Sequence, residues 1–166
     1  MEGRNQRIFV AILGHSFIRR LHESFRHHSL PANYNLRECE VIHMGLGGLC
    51  VCEKTQRHIS IDKFKQRFDN FLKIHKPQVV VLQLGEHDID CGIGIQSRIE
   101  TLTVASTLEE IGVLHLKDYN VKQVILCELF TRAQPRNVSV EEYEAKQRHT
   151  NSILKTLLES HLSITF

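Results

Sequence analysis

The chain has 166 residues, 42% of them hydrophobic and 24% charged, with a formal net charge of +2 at pH 7. That composition fits one globular domain long enough to bury a core. The charge is too small, and its basic residues too interspersed with acids, to imply a nucleic-acid or membrane-surface partner. No stretch approaches the roughly 20 apolar residues of a membrane helix, and the polar Met1 to Arg7 followed by a short apolar run does not make a secretory signal.

Five cysteines, Cys39, Cys50, Cys52, Cys91 and Cys127, make an odd number without zinc-framework spacing. They read as reduced thiols of a cytoplasmic protein rather than a disulfide scaffold, with Cys127 a small core residue. No metal site and no cofactor site is read from the sequence. Asn137-Val138-Ser139 fits a glycosylation acceptor, but without a secretory signal it reads as a chance match.

In chain order, Ile8 to Leu13 predicts a first strand, and Ser16 to about His28 a helix with Ile18, Leu21 and Phe25 at helical spacing. Pro31 closes that unit. Glu38 to His43 is a short second strand running into Met44-Gly45-Leu46-Gly47-Gly48. Ile61, Phe64, Phe68, Phe71 and Leu72 form the core-facing stripe of an amphipathic helix. Pro77 introduces Val79 to Leu84, the most hydrophobic run and the candidate central strand.

A further helix places Leu102, Ala105, Leu108, Ile111 and His115 on one face, and Val121 to Leu126 is the fourth strand. Thr131 to Val140 is a polar loop, after which a last helix carries Tyr143, Thr150, Ile153, Leu157 and Leu158. Leu162 to Phe166 opens a fifth strand, which, if unpaired, would leave an edge liable to concentration-dependent self-association. Strands alternating with helices predict an α/β fold: a three-layer α/β/α, flavodoxin-like parallel sheet of four to five strands with helices on both faces, spanning 1–166 as one domain.

Two strand ends carry reactive side chains. Ser16 follows the first strand where a helix begins, so it is either the helix N-cap or a nucleophile beside free backbone N–H groups. A capping box is absent, since Arg19 stands where Glu or Gln would be. Gly45, Gly47 and Gly48 allow a turn or close backbone approach, but complete neither a dinucleotide fingerprint nor a phosphate loop. His87 and Asp88 follow the central strand, Asp88 being as suited to bracing the loop as to chemistry. Arg19 and Arg20 read as a solvated helix face, with an anionic substrate as the alternative.

Together these segments resemble the SGNH (GDSL-like) hydrolases. Gly14-His15-Ser16 is similar to the family's first block, Gly-Asp-Ser. Gly48 matches the Gly of the second block. Gly85-Glu86-His87-Asp88 resembles the third, Gly-x-Asn-Asp. The resemblance implies Ser16 as nucleophile, an oxyanion hole from Ser16, Gly48 and His87, and a small acylated substrate: an ester, thioester or O-acetyl group.

The departures concern activity. His15 replaces the turn-organising Asp, and His87 replaces an Asn donor, which an imidazole N–H can imitate. The family's late Asp-x-x-His is missing: His149 follows Lys146 by three residues, and His161 follows Leu158. In the family that block comes after the fifth strand, so the base and its orienting acid read as truncated away. Ser16 with His87 is a substitute dyad; His43 is the other histidine expected near the active edge, and His115 reads as structural. The competing functions are a non-catalytic binding or protein-interaction module and a flavodoxin-like nucleotide or flavin domain. The latter would want a Ser/Thr/Gly-rich first loop in place of His15-Ser16-Phe17-Ile18-Arg19-Arg20.

Overall fold

The computed structural model describes residues 7–31, 33–51, 61–90 and 97–166. Five strands, β1 (Ile8–His15), β2 (Cys39–Leu46), β3 (Val79–Gln83), β4 (Gln123–Leu126) and β5 (Ile164–Thr165), pair in parallel in the order β2-β1-β3-β4-β5. The helices are α1 (Ser16–His27), α2 (Ile61–His75), α3 (Glu86–Asp90), α4 (Ser97–Tyr119) and α5 (Val140–Leu158). Right-handed crossovers put α1 on one face of the sheet and α2, α4 and α5 on the other, which is the three-layer α/β/α arrangement. The Tyr119 hydroxyl of α4 donates to Asp69 Oδ1 of α2 at 2.7 Å, tying two helices of the thicker layer together.

Strand burial follows from that asymmetry. Ala11, Leu13, Val80, Leu82, Val124 and Leu126 are buried in one cluster with Phe68, Leu72, Ala105, Leu108, Ile111 and Leu154 of the three-helix layer. Alternate residues such as Val10, Ile12, Val79, Val81 and Ile125 are only part-buried. Their side chains point to the opposite face, where α1 is the one helix among the described residues. Both kinds of position are apolar, so the strands read as continuous hydrophobic runs.

Several sequence expectations shift in detail. Leu102 is half exposed and leaves the core face of α4, where Thr101 and Val104 are buried instead. His115 is buried and its Nδ1 donates to the Ile111 carbonyl at 2.8 Å, which fixes it as part of the helix packing. Ile61 and Phe64 have side chains outside the described residues, whereas Phe68 and Leu72 are buried as the stripe requires. Ser139 caps α5, its Oγ accepting from Glu142 N at 3.1 Å, an interaction worth about 1 kcal/mol. Cys39 and Cys127 are free thiols, and burial, with the Glu86 carboxylate adding to it, pushes Cys127 up to about 11. Cys52 and Cys91 lie outside the described residues. No described helix is long and apolar enough to cross a membrane.

Candidate active site

The strand order reverses between β1 and β3, and in open parallel sheets ligands bind beyond the strand C-termini at such a point. Both singled-out segments arrive there. Gly14 pairs with Gln83 across β1 and β3, and a Cβ on Gly14 would lie 2.5 Å from the Gln83 carbonyl oxygen. Only glycine allows the two strand ends to approach this closely. Gly85 turns the chain out of β3 with φ +106°, which L side chains rarely adopt.

His15, not Ser16, caps α1. Its backbone is extended, and its Nδ1 accepts from Phe17 N at 3.2 Å, while Nε2 lies 2.8 Å from Glu86 Oε2. Acceptance at Nδ1 assigns the ring proton to Nε2, which donates it to the carboxylate. The sequence reading of Ser16 as a possible cap is corrected for this reason: Ser16 is the first helical residue. Its hydroxyl makes no hydrogen bond to any described residue and faces a cavity of about 600 Å³.

On the β3 side the turn expected after Gly85 is a five-residue helix with three buried carboxylates. Glu86, Asp88 and Asp90 are each 2% exposed or less. Each fastens a different segment. Glu86 accepts from His15, from the Gln83 side-chain amide, and from Phe130 N at 3.3 Å. Asp88 accepts from Val51 N through both oxygens at 3.1 Å. Asp90 pairs with the Arg132 guanidinium and accepts from Arg136 N at 2.8 Å and Asn137 N at 3.2 Å. Burial pulls the Glu86 carboxyl upward, but the His15 hydrogen bond and the backbone donors outweigh it and hold the group below its ordinary value.

The cavity is walled on one side by His15, Ser16, Phe17 and Arg20 of the β1–α1 turn, and by Glu86 and His87 of α3. The opposite wall comes from the loop after β4, with Phe130, Arg132 and Arg136 among its residues. The rings of Phe17 and Phe130 meet edge to face at 5.2 Å. Arg132 also lies over the Tyr143 ring at 5.9 Å, and the Tyr143 hydroxyl donates to the Phe130 carbonyl at 3.0 Å. That loop is therefore held by Asp90, Glu86 and Tyr143.

His87 stands edge-on to His15, ring centroids 5.3 Å apart, and its buried Nε2 has no hydrogen-bond partner among the described residues. Burial, with the Arg132 charge adding to it, lowers His87 to about 4 against the opposing pull of Glu86 and Asp90. It is a neutral imidazole at pH 7, capable of donating a hydrogen bond but a weak base. Ser16 and His87 share the cavity without a hydrogen bond between them.

Other sequence candidates separate from this cluster. Gly48 turns with φ +70° after β2 and is not one of the cavity residues. Asp88 braces the loop through Val51 N. His43 leaves the active edge: its Nε2 is 2.8 Å from the Tyr34 hydroxyl and its ring packs on Phe25 of α1. The adjacent arginines divide, Arg19 pairing with Glu23 at 3.8 Å while Arg20 lines the cavity. Glu86, Asp90, Phe130, Arg132 and Arg136 went unassigned in the sequence. A polar, Pro-containing loop gives no sign of which strand end it will cover. The joint appearance of His15 in the first block and Glu86 in the third was the one available signal, a base and an acid positioned to pair.

No family model and no curated protein matches the sequence. Among solved structures, the chain is similar to a candidate acylhydrolase of Bacteroides fragilis, with TM-score 0.58 and 19% identity over 100% of this chain and 68% of that one. It is also similar to Axe2, an acetylxylan esterase of Geobacillus stearothermophilus, with TM-score 0.56 and 16% identity over 92% and 74%. The α/β hydrolase LAE5 from the Lake Arreo metagenome matches with TM-score 0.55 and 14% identity over 96% and 77%. With the 2-1-3-4-5 sheet and the two strand-end turns, these likenesses identify the architecture: the chain has an SGNH-like hydrolase fold.

Proposed function

We propose that the cavity is an acyl-hydrolase site in which Ser16 attacks the carbonyl of an ester, thioester or O-acetyl group and forms an acyl-enzyme. One observation carries this reading. Ser16 sits at the N-terminus of α1, at the sheet's reversal point, with a hydroxyl that caps nothing because His15 has taken that role. Backbone N–H groups at a helix start and a neutral imidazole donor suit the oxygen of a tetrahedral intermediate. His87 takes the donor role here, while Gly48, the second donor the resemblance implies, lies outside the cavity lining.

Activation of Ser16 is the weak part of the site. Of the two imidazoles lining the cavity, His15 is engaged at both nitrogens and His87 is lowered to about 4. A serine without a well-matched base turns over slowly, so trapping is a better test than turnover. A fluorophosphonate probe should label the full chain at Ser16, and Ser16→Ala should abolish the adduct. The second reading, a non-catalytic binding module, is favoured by the missing Ser16–imidazole hydrogen bond. Folded protein that resists the probe at Ser16 would replace the first reading with the second.

A further inference from the structure

Three arginines line one cavity whose carboxylate, Glu86, is already committed to His15, Gln83 and Phe130. They are not equivalent. Arg132 is neutralised by Asp90 and packed over Tyr143, so it belongs to the wall. The guanidinium groups of Arg20 and Arg136 have no carboxylate partner among the described residues, although both sit on the rim of the same cavity. They come from unconnected segments, α1 and the loop after β4. The Asp90 hydrogen bonds to Arg136 N and Asn137 N fix the backbone of that loop, so the fold sets the point from which the exposed Arg136 side chain reaches the cavity.

We propose that Arg20 and Arg136 form an anion clamp, and that the ligand of this cavity carries a carboxylate or phosphate group beside its acyl moiety. Guanidinium forks bind such oxyanions through paired N–H donors. The edge-to-face Phe17 and Phe130 supply an apolar surface next to them, which would take the carbon skeleton between the anion and the ester. The substrate class follows as an acyl ester or thioester of an anionic molecule. The inference deepens the hydrolase reading and rests on it for the word substrate, but the clamp itself is a binding property.

The test uses the full chain carrying Ser16→Ala, so that affinity is read without turnover. The probes are phenyl acetate and its para-carboxylate and para-phosphate derivatives, titrated calorimetrically at low salt. The charged probes should bind about tenfold or more tightly than phenyl acetate, the scale of a charge-assisted hydrogen bond. Relative strength of the two charged probes decides between carboxylate and phosphate as the natural group. Adding Arg20→Gln with Arg136→Gln should remove the preference, while Arg19→Gln should retain it. Equal binding of neutral and charged probes, survival of the preference in the double arginine variant, or its loss in Arg19→Gln would each overturn the clamp. A preserved preference in a protein whose Ser16 resists fluorophosphonate would defeat the catalytic reading alone.

Discussion

The two sides of the β1/β3 crevice treat polar groups in opposite ways. Beneath the crevice, Glu86, Asp88 and Asp90 are buried and each is met by donors from a different segment. Around the cavity, Ser16 Oγ, the guanidiniums of Arg20 and Arg136, and the buried His87 Nε2 behind them have no partner among the described residues. Of these four only His87 Nε2 is buried, the kind of unsatisfied atom that calls for an account; Ser16 is part-exposed and the two arginines are exposed to solvent. The satisfied carboxylates are scaffold, fixing the β1–α1 turn, the loop after β2 and the loop after β4 around one short helix. The unpartnered groups are those the proposed acyl-hydrolase site and anion clamp draw on.

The sharpest way to break this division is at Ser16. Ser16→Ala should eliminate fluorophosphonate labelling and reduce any ester turnover by about a thousandfold or more, with an unchanged urea midpoint. A large loss of stability would show instead that the hydroxyl is structural. Glu86→Ala should do the reverse. It strands His15 Nε2, the Gln83 amide and Phe130 N, and removing one partner of a buried pair costs about 3 kcal/mol or more, measurable by urea unfolding. A cost near zero would remove Glu86 from the scaffold. Asp90→Asn weakens one guanidinium pair and two backbone bonds at an expected cost of about 2 kcal/mol. Hydrogen exchange should quicken at the Arg136 and Asn137 amides first.

Acid probes the boundary between the two regions. His87 has a folded value of about 4 against an ordinary 6.5, so the unfolded chain takes up the proton first. Its contribution to stability is full above pH 6.5 and is lost as pH falls from 6.5 towards 4. Glu86, held below its ordinary 4.5, adds a further loss in the same direction below that value. The His87 ring resonances should stay unprotonated at pH 5.5, and a titration near 6.5 would contradict its burial. The smallest effect belongs to Arg19→Gln: breaking an exposed pair with Glu23 should change stability by about 0.5 kcal/mol or less.

Periodicity and punctuation made most of the elements legible. Val79 to Leu84 was recognisable as the central strand because both faces of a parallel sheet demand apolar residues, and it forms β3 from Val79 to Gln83. Ser16 to about His28 became α1 ending at His27. The second strand runs from Cys39 through Leu46, further into the Gly segment than its apolar pattern indicated, since pairing with β1 carries it on. The helix α3 was not legible. Five residues with three carboxylates look like a solvated turn, and only long-range partners at Val51, Arg132 and the loop after β4 make their burial affordable.

The sequence by itself determined the alternation of strands and helices, the glycines at the two strand ends, and the arrival of Ser16 and His87 at those ends, because these follow from local propensity and apolar spacing. Tertiary structure alone decided that His15 caps the helix and frees Ser16, that Glu86 is buried scaffold, and that Arg20 rather than Arg19 joins Arg136 at the cavity. Each of those outcomes depends on groups far apart in the chain, 71 residues in the case of His15 and Glu86. The charge state and availability of a side chain are set by what packs against it, which no local pattern records.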